Sequence, residues 1–355
     1  MIRSPLLRLL LFPLAWLYWL CVRCRSTAYE RGWCKTHRLR TPVISVGNLT
    51  VGGTGKTPCV AYLAQLLRDA GHEVAILSRG YKRTSKGRVE VSNGREILCS
   101  PQEAGDEPYL LARACPGVRV IVDQDRYAAG RWLEEHASVS VFLLDDGYQH
   151  LRLARAVNVL LVDATDPLQT AQMVPFGRLR EPLAALRRAD VVIVTRADQP
   201  YNHAGLNALL KAHSFAGGEA YQSWYEITGL RRLDADETRS LSALAEQPVA
   251  AFCGIANPHQ FFHTVTRFAP QIVLRRDFAD HHAYTHTELA DVVAAARAAG
   301  AALLLTTEKD AVKLPSEFLA APGLPLYALQ IAFVCAQEER LKERLWQALP
   351  ARDPK

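Results

Sequence analysis

Gly47-Asn-Leu-Thr-Val-Gly-Gly-Thr-Gly-Lys-Thr57 carries glycines, a lysine and a threonine at the spacing of a phosphate-binding loop. Backbone N–H groups over Thr50, Val51, Gly52, Gly53, Thr54 and Gly55, with the start of the following helix, suit phosphate oxygens. Lys56 is expected to reach the β- and γ-phosphates, and Thr57 to offer its hydroxyl to Mg²⁺. The loop departs from G-x-x-x-x-G-K-[ST] at its first position, where Thr50 stands; Gly52 and Gly53 supply flexibility instead. About 90 residues further on, Val139-Ser-Val-Phe-Leu-Leu144 runs into Asp145-Asp-Gly-Tyr-Gln-His150. An apolar strand ending in two acids is a Walker B pattern, whose carboxylates orient Mg²⁺ beside the phosphates of a nucleoside triphosphate. A single strand-end Asp-Gly would be an ordinary turn; two acids with a loop lysine make a site.

These groups need a scaffold. Pro42–Val46 reads as a buried strand before the loop, and Val60, Leu63, Ala64, Leu66 and Leu67 form the apolar face of a helix that Gly71 ends. Further parallel strands are expected at Glu73–Ser78, Val118–Val122, Val157–Val162 and Val191–Val194. The alternation predicts an α/β fold, a P-loop NTPase-type mainly parallel sheet flanked by helices. A second, smaller α/β domain is expected from strands at Val249–Phe252, Ile272–Leu274 and Leu303–Thr306 and a helix over Thr287–Ala299. The division expected is an anchor over residues 1–25, a nucleotide domain over 26–222 and the smaller domain over 223–355. Thr195-Arg-Ala-Asp198 resembles the base-reading loop of some P-loop proteins, and a strand-end turn explains it at least as well.

Charge and hydropathy concern location. Residues 1–40 hold eight Lys/Arg against Glu30 alone, +7 of a total of +6, so the other 315 residues sum to about −1. That distribution suits an anionic membrane surface and gives no basic stripe for nucleic acid. Leu9–Val22 is fourteen residues without a charge, short of the roughly 20 that span a bilayer. It ends in aromatics and then Cys-Val-Arg-Cys-Arg25 rather than the small residues of a cleavage site. Trp16, Tyr18 and Trp19 suit a membrane boundary, and the basic cluster behind them leaves the body in the cytoplasm. A retained hydrophobic membrane helix is expected, spanning or lying in the interface. Eight scattered cysteines form no disulfide pattern, and Cys21, Cys24 and Cys34 lack a fourth ligand at zinc spacing.

Asn48 to Pro58 together with Asp145–His150 resembles the tetraacyldisaccharide 4′-kinase (lipid A 4′-kinase) family, Thr50 included. The resemblance extends through Ser78-Arg-Gly-Tyr81, Gly105-Asp-Glu-Pro108, Gly177-Arg-Leu-Arg-Glu-Pro182, Phe278-Ala-Asp-His-His282 and Thr306-Thr-Glu-Lys-Asp310. It implies transfer of the ATP γ-phosphate to the 4′-hydroxyl of an acylated glucosamine disaccharide 1-phosphate at the cytoplasmic face of the inner membrane, forming lipid IVA. Also implied are Asp106 as catalytic base with His281 as partner, and Lys56, Thr57, Asp145, Asp146 and Glu181 on phosphate and metal. Arg79, Tyr81, Arg126, Gln149, His150 and Arg180 are candidates around the substrate.

Read without the resemblance, Asp106 is better explained as a cap on the helix through Tyr109–Ala114. Which of His281 and His282 faces the site stays open, and Lys309 and Asp310 receive no role. A GTPase-type metal chaperone of the same class would need a His- or Cys-rich metal store. A ligase for soluble acids has no use for Leu9–Val22, and a nucleotide-gated membrane adaptor none for Asp106 and His281 in one cleft. No protein partner is inferable.

Overall fold

The structure, a computed structural model, describes residues 5–349 apart from 167, 169, 170, 236 and 246, and residues 5–10 by their backbone alone. Residues 1–4 of the expected anchor and 350–355 of the expected C-terminal domain lie outside the described residues.

The chain opens with a 26-residue helix, α1 (Pro5–Glu30). The first half of the fold follows: β1 (Val43–Asn48), α2 (Lys56–Asp69), β2 (Val74–Ser78), β3 (Val89–Asn93), α3 (Pro101–Ala104), α4 (Asp106–Ala114), β4 (Arg119–Val122), α5 (Arg126–His136), β5 (Val141–Leu144), β6 (Val157–Asp163), β7 (Val191–Thr195) and α6 (His203–Ala212). The second half comprises β8 (Tyr221–Arg232), β9 (Thr238–Arg239), β10 (Val249–Cys253), α7 (Pro258–Thr266), β11 (Ile272–Asp277), α8 (His286–Ala298), β12 (Leu303–Thr307), α9 (Glu308–Ala311), α10 (Ser316–Ala320), β13 (Leu326–Cys335) and α11 (Glu338–Trp346).

One mainly parallel sheet runs β11-β10-β12-β13-β8-β7-β6-β1-β5-β2-β4-β3, with β9 paired to β8. Strands β1, β2, β5, β7 and β10 are buried along their whole length, as strands covered by helices on both faces must be. After β1 the chain lays down β2, β3 and β4 on one side, fills the gap between β1 and β2 with β5, then crosses to β6 on the other side of β1. Loops leaving β1, β5 and β6 therefore diverge at one sheet edge, the crevice where open α/β sheets bind ligands. Among the named strands of the described residues, the antiparallel pairs are β3–β4, β8–β9 and β8–β13.

In the β8–β13 ladder, Arg232 faces Tyr327 at one end and Ser223 faces Cys335 at the other. The first residues of β8 also continue the sheet from β7, so this strand is shared between the halves. Helix α2 buries Cys59, Val60, Leu63, Ala64 and Leu67, a stripe at helical spacing, against the core that includes Ile44, Val46 and Ile76. Tyr62 on the same helix donates to Glu338 at 2.8 Å and packs on Phe333, locking α2 to β13 and α11.

Helix α1 departs from the expected membrane helix. Pro13 lies inside it, and among the described residues no helix is long and apolar enough to cross a membrane. Phe12, Leu14, Trp16 and Leu17 are more than half exposed, whereas Ala15 is buried. The helix lies along the body: Tyr18 Oη donates to Arg180 O at 2.9 Å, Arg25 to Gln149 O at 2.8 Å, and Arg187 pairs with Glu30 at 2.5 Å.

Candidate active site

The loop after β1 closes with Gly52 at φ 111° and Gly55 at φ 82°, left-handed conformations that glycine adopts without strain. Gly55 is also the residue before α2, and a Cβ there would collide with Tyr225 Oη from β8. Neighbouring loops hold the rest. Val51 N–H donates to Arg178 O at 2.7 Å, and the Arg178 guanidinium donates back to Val51 O at 2.8 and 3.0 Å. Thr195 Oγ1 donates to Thr54 O at 3.1 Å, and Arg196 to Gly53 O at 3.1 Å. The Thr195–Asp198 turn thus braces the loop, with Arg196 also paired to Asp163.

Lys56 opens α2 and reaches back, its Nζ 3.3 Å from Asn48 Oδ1 and 3.8 Å from Asp146 Oδ1. Arg180 clamps the same Asp146 with 3.0 and 3.2 Å contacts to its two oxygens. Burial opposes ionisation of Asp146, but Lys56, Arg180 and Arg126 together hold it below the ordinary carboxylate range. Asp145, three per cent exposed, has the opposite surroundings. Ser78 donates to its Oδ2 at 2.9 Å, yet burial, then Glu107 and Asp146, push it up to about 7. Two adjacent carboxylates are thereby driven apart in acidity by their different cation contacts.

Arg126 is buried at the start of α5; desolvation, then Arg79, lowers its affinity for its proton. His150 lies near it, pushed down to about 3 by burial, then Arg126 and Arg155. Gln149 donates from Nε2 to Asn48 O at 2.9 Å. Glu181 is buried, takes a 2.7 Å bond from Arg188 on one oxygen and leaves Oε1 without a partner.

The second half adds a histidine from the segment after β11. His281, at φ 60°, brings Nδ1 to 3.2 Å from Asp106 Oδ2 on α4. Tyr81 packs edge-on to the ring at 5.7 Å between centroids. His282 turns away to Glu288 at 3.2 Å, so His281 is the histidine that meets Asp106. Asp106 does not cap its helix: Gly105 is the N-cap, and the Asp106 carboxylate is spent on His281.

Lys309, unassigned from sequence, stands in this cluster, 3.1 Å from Asp280, 3.4 Å from His281 Nε2 and 3.8 Å from Glu107. Its neighbour Asp310 is instead a buried structural anion, 2.7 Å from Lys313 and 3.0 Å from the Tyr284 hydroxyl.

A cleft of about 1740 Å³ joins these groups, lined by the loop, Asp145, Asp146, Glu107, His281 and Lys309 among others. Arg79, Tyr81, Arg126, Gln149, His150, Arg180 and Glu181 all line the same space. Glu107 was passed over in the sequence because it reads as a first-turn helix acid; its cleft-facing position is legible only in three dimensions.

A strand, a glycine loop closed on a helix N-terminus, paired strand-end acids and, lining the same cleft, a histidine bonded to a carboxylate define an α/β protein built around a nucleotide-type phosphate site. The model of the family described as Tetraacyldisaccharide-1-P 4′-kinase matches residues 7–350, and the chain belongs to that family. It is 44% identical over 301 residues to the tetraacyldisaccharide 4′-kinase of Geobacter metallireducens, covering 84% of this chain and 86% of the relative. It is 45% identical over 316 residues to that of Geobacter sulfurreducens, covering 88% and 85%. A crystal structure of Aquifex aeolicus LpxK in complex with ATP superposes with a TM-score of 0.79 at 36% identity, covering 97% of this chain and all of that one.

Proposed function

We propose that this chain transfers the γ-phosphate of ATP to the 4′-hydroxyl of a tetraacyldisaccharide 1-phosphate at the cytoplasmic face of the inner membrane. Family membership over residues 7–350 supports the kinase over a GTPase-type metal chaperone or a nucleotide-gated adaptor. The observation that carries the chemistry is a single cleft lined by both the phosphate loop and His281, the histidine whose Nδ1 lies 3.2 Å from Asp106.

In this reading the Gly52–Gly55 backbone and Lys56 hold the triphosphate, and Arg180 and Arg126 supply positive charge where it accumulates on the transferred group. The acceptor oxygen bonds to the γ-phosphorus, the bond to the β–γ bridging oxygen breaks with its electron pair leaving on ADP, and Asp106 takes the hydroxyl proton. Binding by both halves excludes water from the donor.

The residues present fit Mg²⁺. Asp145 is a buried carboxylate that, among the described residues, has no cation within bonding distance, and its pKa is raised; Thr57 adds a hydroxyl at the start of α2. These are hard oxygen donors, and Mg²⁺ needs only one or two protein carboxylates when phosphates and waters complete its shell. Asp145 and Thr57 would hold it, and bound there it would neutralise phosphate charge; among the described residues no three acids converge on one metal position, and Asp146 and Glu181 are already paired with Lys56 and Arg180 and with Arg188. We read residues 26–222 as a P-loop-type lobe and 223–355 as a second lobe, the sheet running from one to the other through β8, which pairs with β7 at its start and with β13 beyond. Exposed Phe12, Leu14, Trp16 and Leu17 support α1 as an interfacial helix that brings the cleft to a lipid.

The test is incubation of purified protein with γ-labelled ATP and a micellar tetraacyldisaccharide 1-phosphate. Label at the 4′ position of a bis-phosphorylated lipid is expected; label released only as inorganic phosphate would refute the assignment.

A further inference from the structure

The pair of hydrogen-bonding partners around the His281 ring fixes which nitrogen carries the proton. Lys309 Nζ lies 3.4 Å from His281 Nε2, and an ammonium only donates. Asp280, which would ask for the opposite polarity, stays 3.8 Å from Nε2, beyond hydrogen-bond reach. Lys309 is itself held by that Asp280 at 3.1 Å and by Glu107 at 3.8 Å, so its position is set from both lobes. Nε2 is therefore the acceptor, and the neutral ring carries its proton on Nδ1, which donates to Asp106 Oδ2 at 3.2 Å.

We propose that Lys309 is a positioning residue that fixes the Nδ1–H tautomer of His281, making His281 a fixed hydrogen-bond donor to Asp106 and not a proton relay. This rests on the reading of Asp106 as base. A relay would need Nδ1 free to receive the proton that Asp106 has taken, and that nitrogen already carries one. The hydroxyl proton instead goes to Asp106 Oδ1 as the oxygen bonds to the γ-phosphorus and ADP leaves with the electron pair. It is then lost to water once the products depart, while His281 keeps its proton throughout. Glu107 and Asp280 gain a counter-charge from the same lysine, which explains how four acceptor-rich groups crowd one corner of the cleft.

The experiment combines kinetics with ring spectroscopy. The kcat and KM for ATP and lipid are measured for His281→Asn, His281→Ala, Lys309→Met, Asp106→Asn and the double variant Lys309→Met/His281→Asn. An asparagine amide can replace an Nδ1–H donor but cannot relay a proton. His281→Asn is thus expected to keep roughly tenfold more kcat than His281→Ala. Lys309→Met is expected to lower kcat roughly tenfold with KM for ATP unchanged, yet to cost less than about twofold on the His281→Asn background. Equal losses from His281→Asn and His281→Ala would overturn the donor role. An equal cost of Lys309→Met on both backgrounds would mean that the lysine acts on the phosphoryl group directly. Nitrogen-15 NMR of the ring is expected to show Nδ1–H in the wild type, and an Nε2–H signature would sink the proposal whatever the rates. Full activity in Asp106→Asn would refute the base reading itself, and the NMR result would still report the tautomer separately.

Discussion

Tyr18 on the N-terminal helix donates its hydroxyl to the main-chain carbonyl of Arg180 at 2.9 Å, and Arg180 in turn clamps Asp146. The helix that carries the exposed apolar residues is thereby bonded to the residue that controls a strand-end acid of the phosphate site. Tyr18→Phe is expected to remove about 0.5–1.5 kcal/mol of stability, readable as a lowered Tm, and to loosen α1. Removing residues 1–25 should lower kcat/KM on bilayer-embedded lipid several-fold more than it weakens ATP binding. Equal loss of both would show that α1 serves the fold and not substrate delivery.

Lys56→Ala tests the phosphate loop. Because Lys56 bridges Asn48 and Asp146 and points at the loop, its loss should leave a folded protein with turnover reduced by roughly 10²–10³. Turnover assays paired with circular dichroism separate this from unfolding.

His150 predicts a pH dependence of stability. Its folded-state pKa is pushed down to about 3, below the roughly 6.5 of an unfolded histidine. Between those values the unfolded chain binds a proton that the folded chain refuses, so this site destabilises the fold progressively as pH falls below 6.5. At pH 5 the penalty is at most about 2 kcal/mol, less any relief from partial exposure of the ring. His150→Gln should therefore narrow the Tm difference between pH 7 and pH 5, and an unchanged difference would contradict the assignment.

Asp310 and Lys309 are adjacent, yet one is buried against Lys313 and the other faces the cleft. Asp310→Ala leaves Lys313, five per cent exposed at its side chain, as a buried cation without its partner, a loss of roughly 3–5 kcal/mol. Lys309→Met should change Tm far less, since the side chain sits at the cleft surface. Urea unfolding of the two variants decides it.

Much of this was legible in the sequence because burial on both faces writes continuous apolar runs. Val43–Asn48, Val74–Ser78 and Val191–Thr195 fall where Pro42–Val46, Glu73–Ser78 and Val191–Val194 were expected. Strand β8 was not legible: Tyr221–Arg232 mixes buried Tyr221 and Ser223 with half-exposed and exposed Tyr225, Glu226 and Thr228, and gives no run. Its partner β13 loses its pattern after Leu329 for the same reason. The proximity of Asp106, His281 and Lys309 follows from that unseen strand, which pairs with β7 at its start and β13 beyond and so sets one half against the other; composition and spacing alone could not reach it. The family resemblance supplied the first two residues, and nothing in the local sequence distinguished Lys309 from Asp310.

The identity of the base matters most, because Glu107, the residue next to Asp106, lines the cleft and is the natural competitor. The deciding measurement is kcat at saturating ATP, with micellar tetraacyldisaccharide 1-phosphate, for Asp106→Asn and Glu107→Gln, alongside the ATP dissociation constant of each. Asp106→Asn is predicted to lose roughly 10²–10⁴ in kcat with ATP affinity unchanged, and Glu107→Gln to lose much less. Wild-type turnover in Asp106→Asn, with the loss falling on Glu107→Gln, would contradict it.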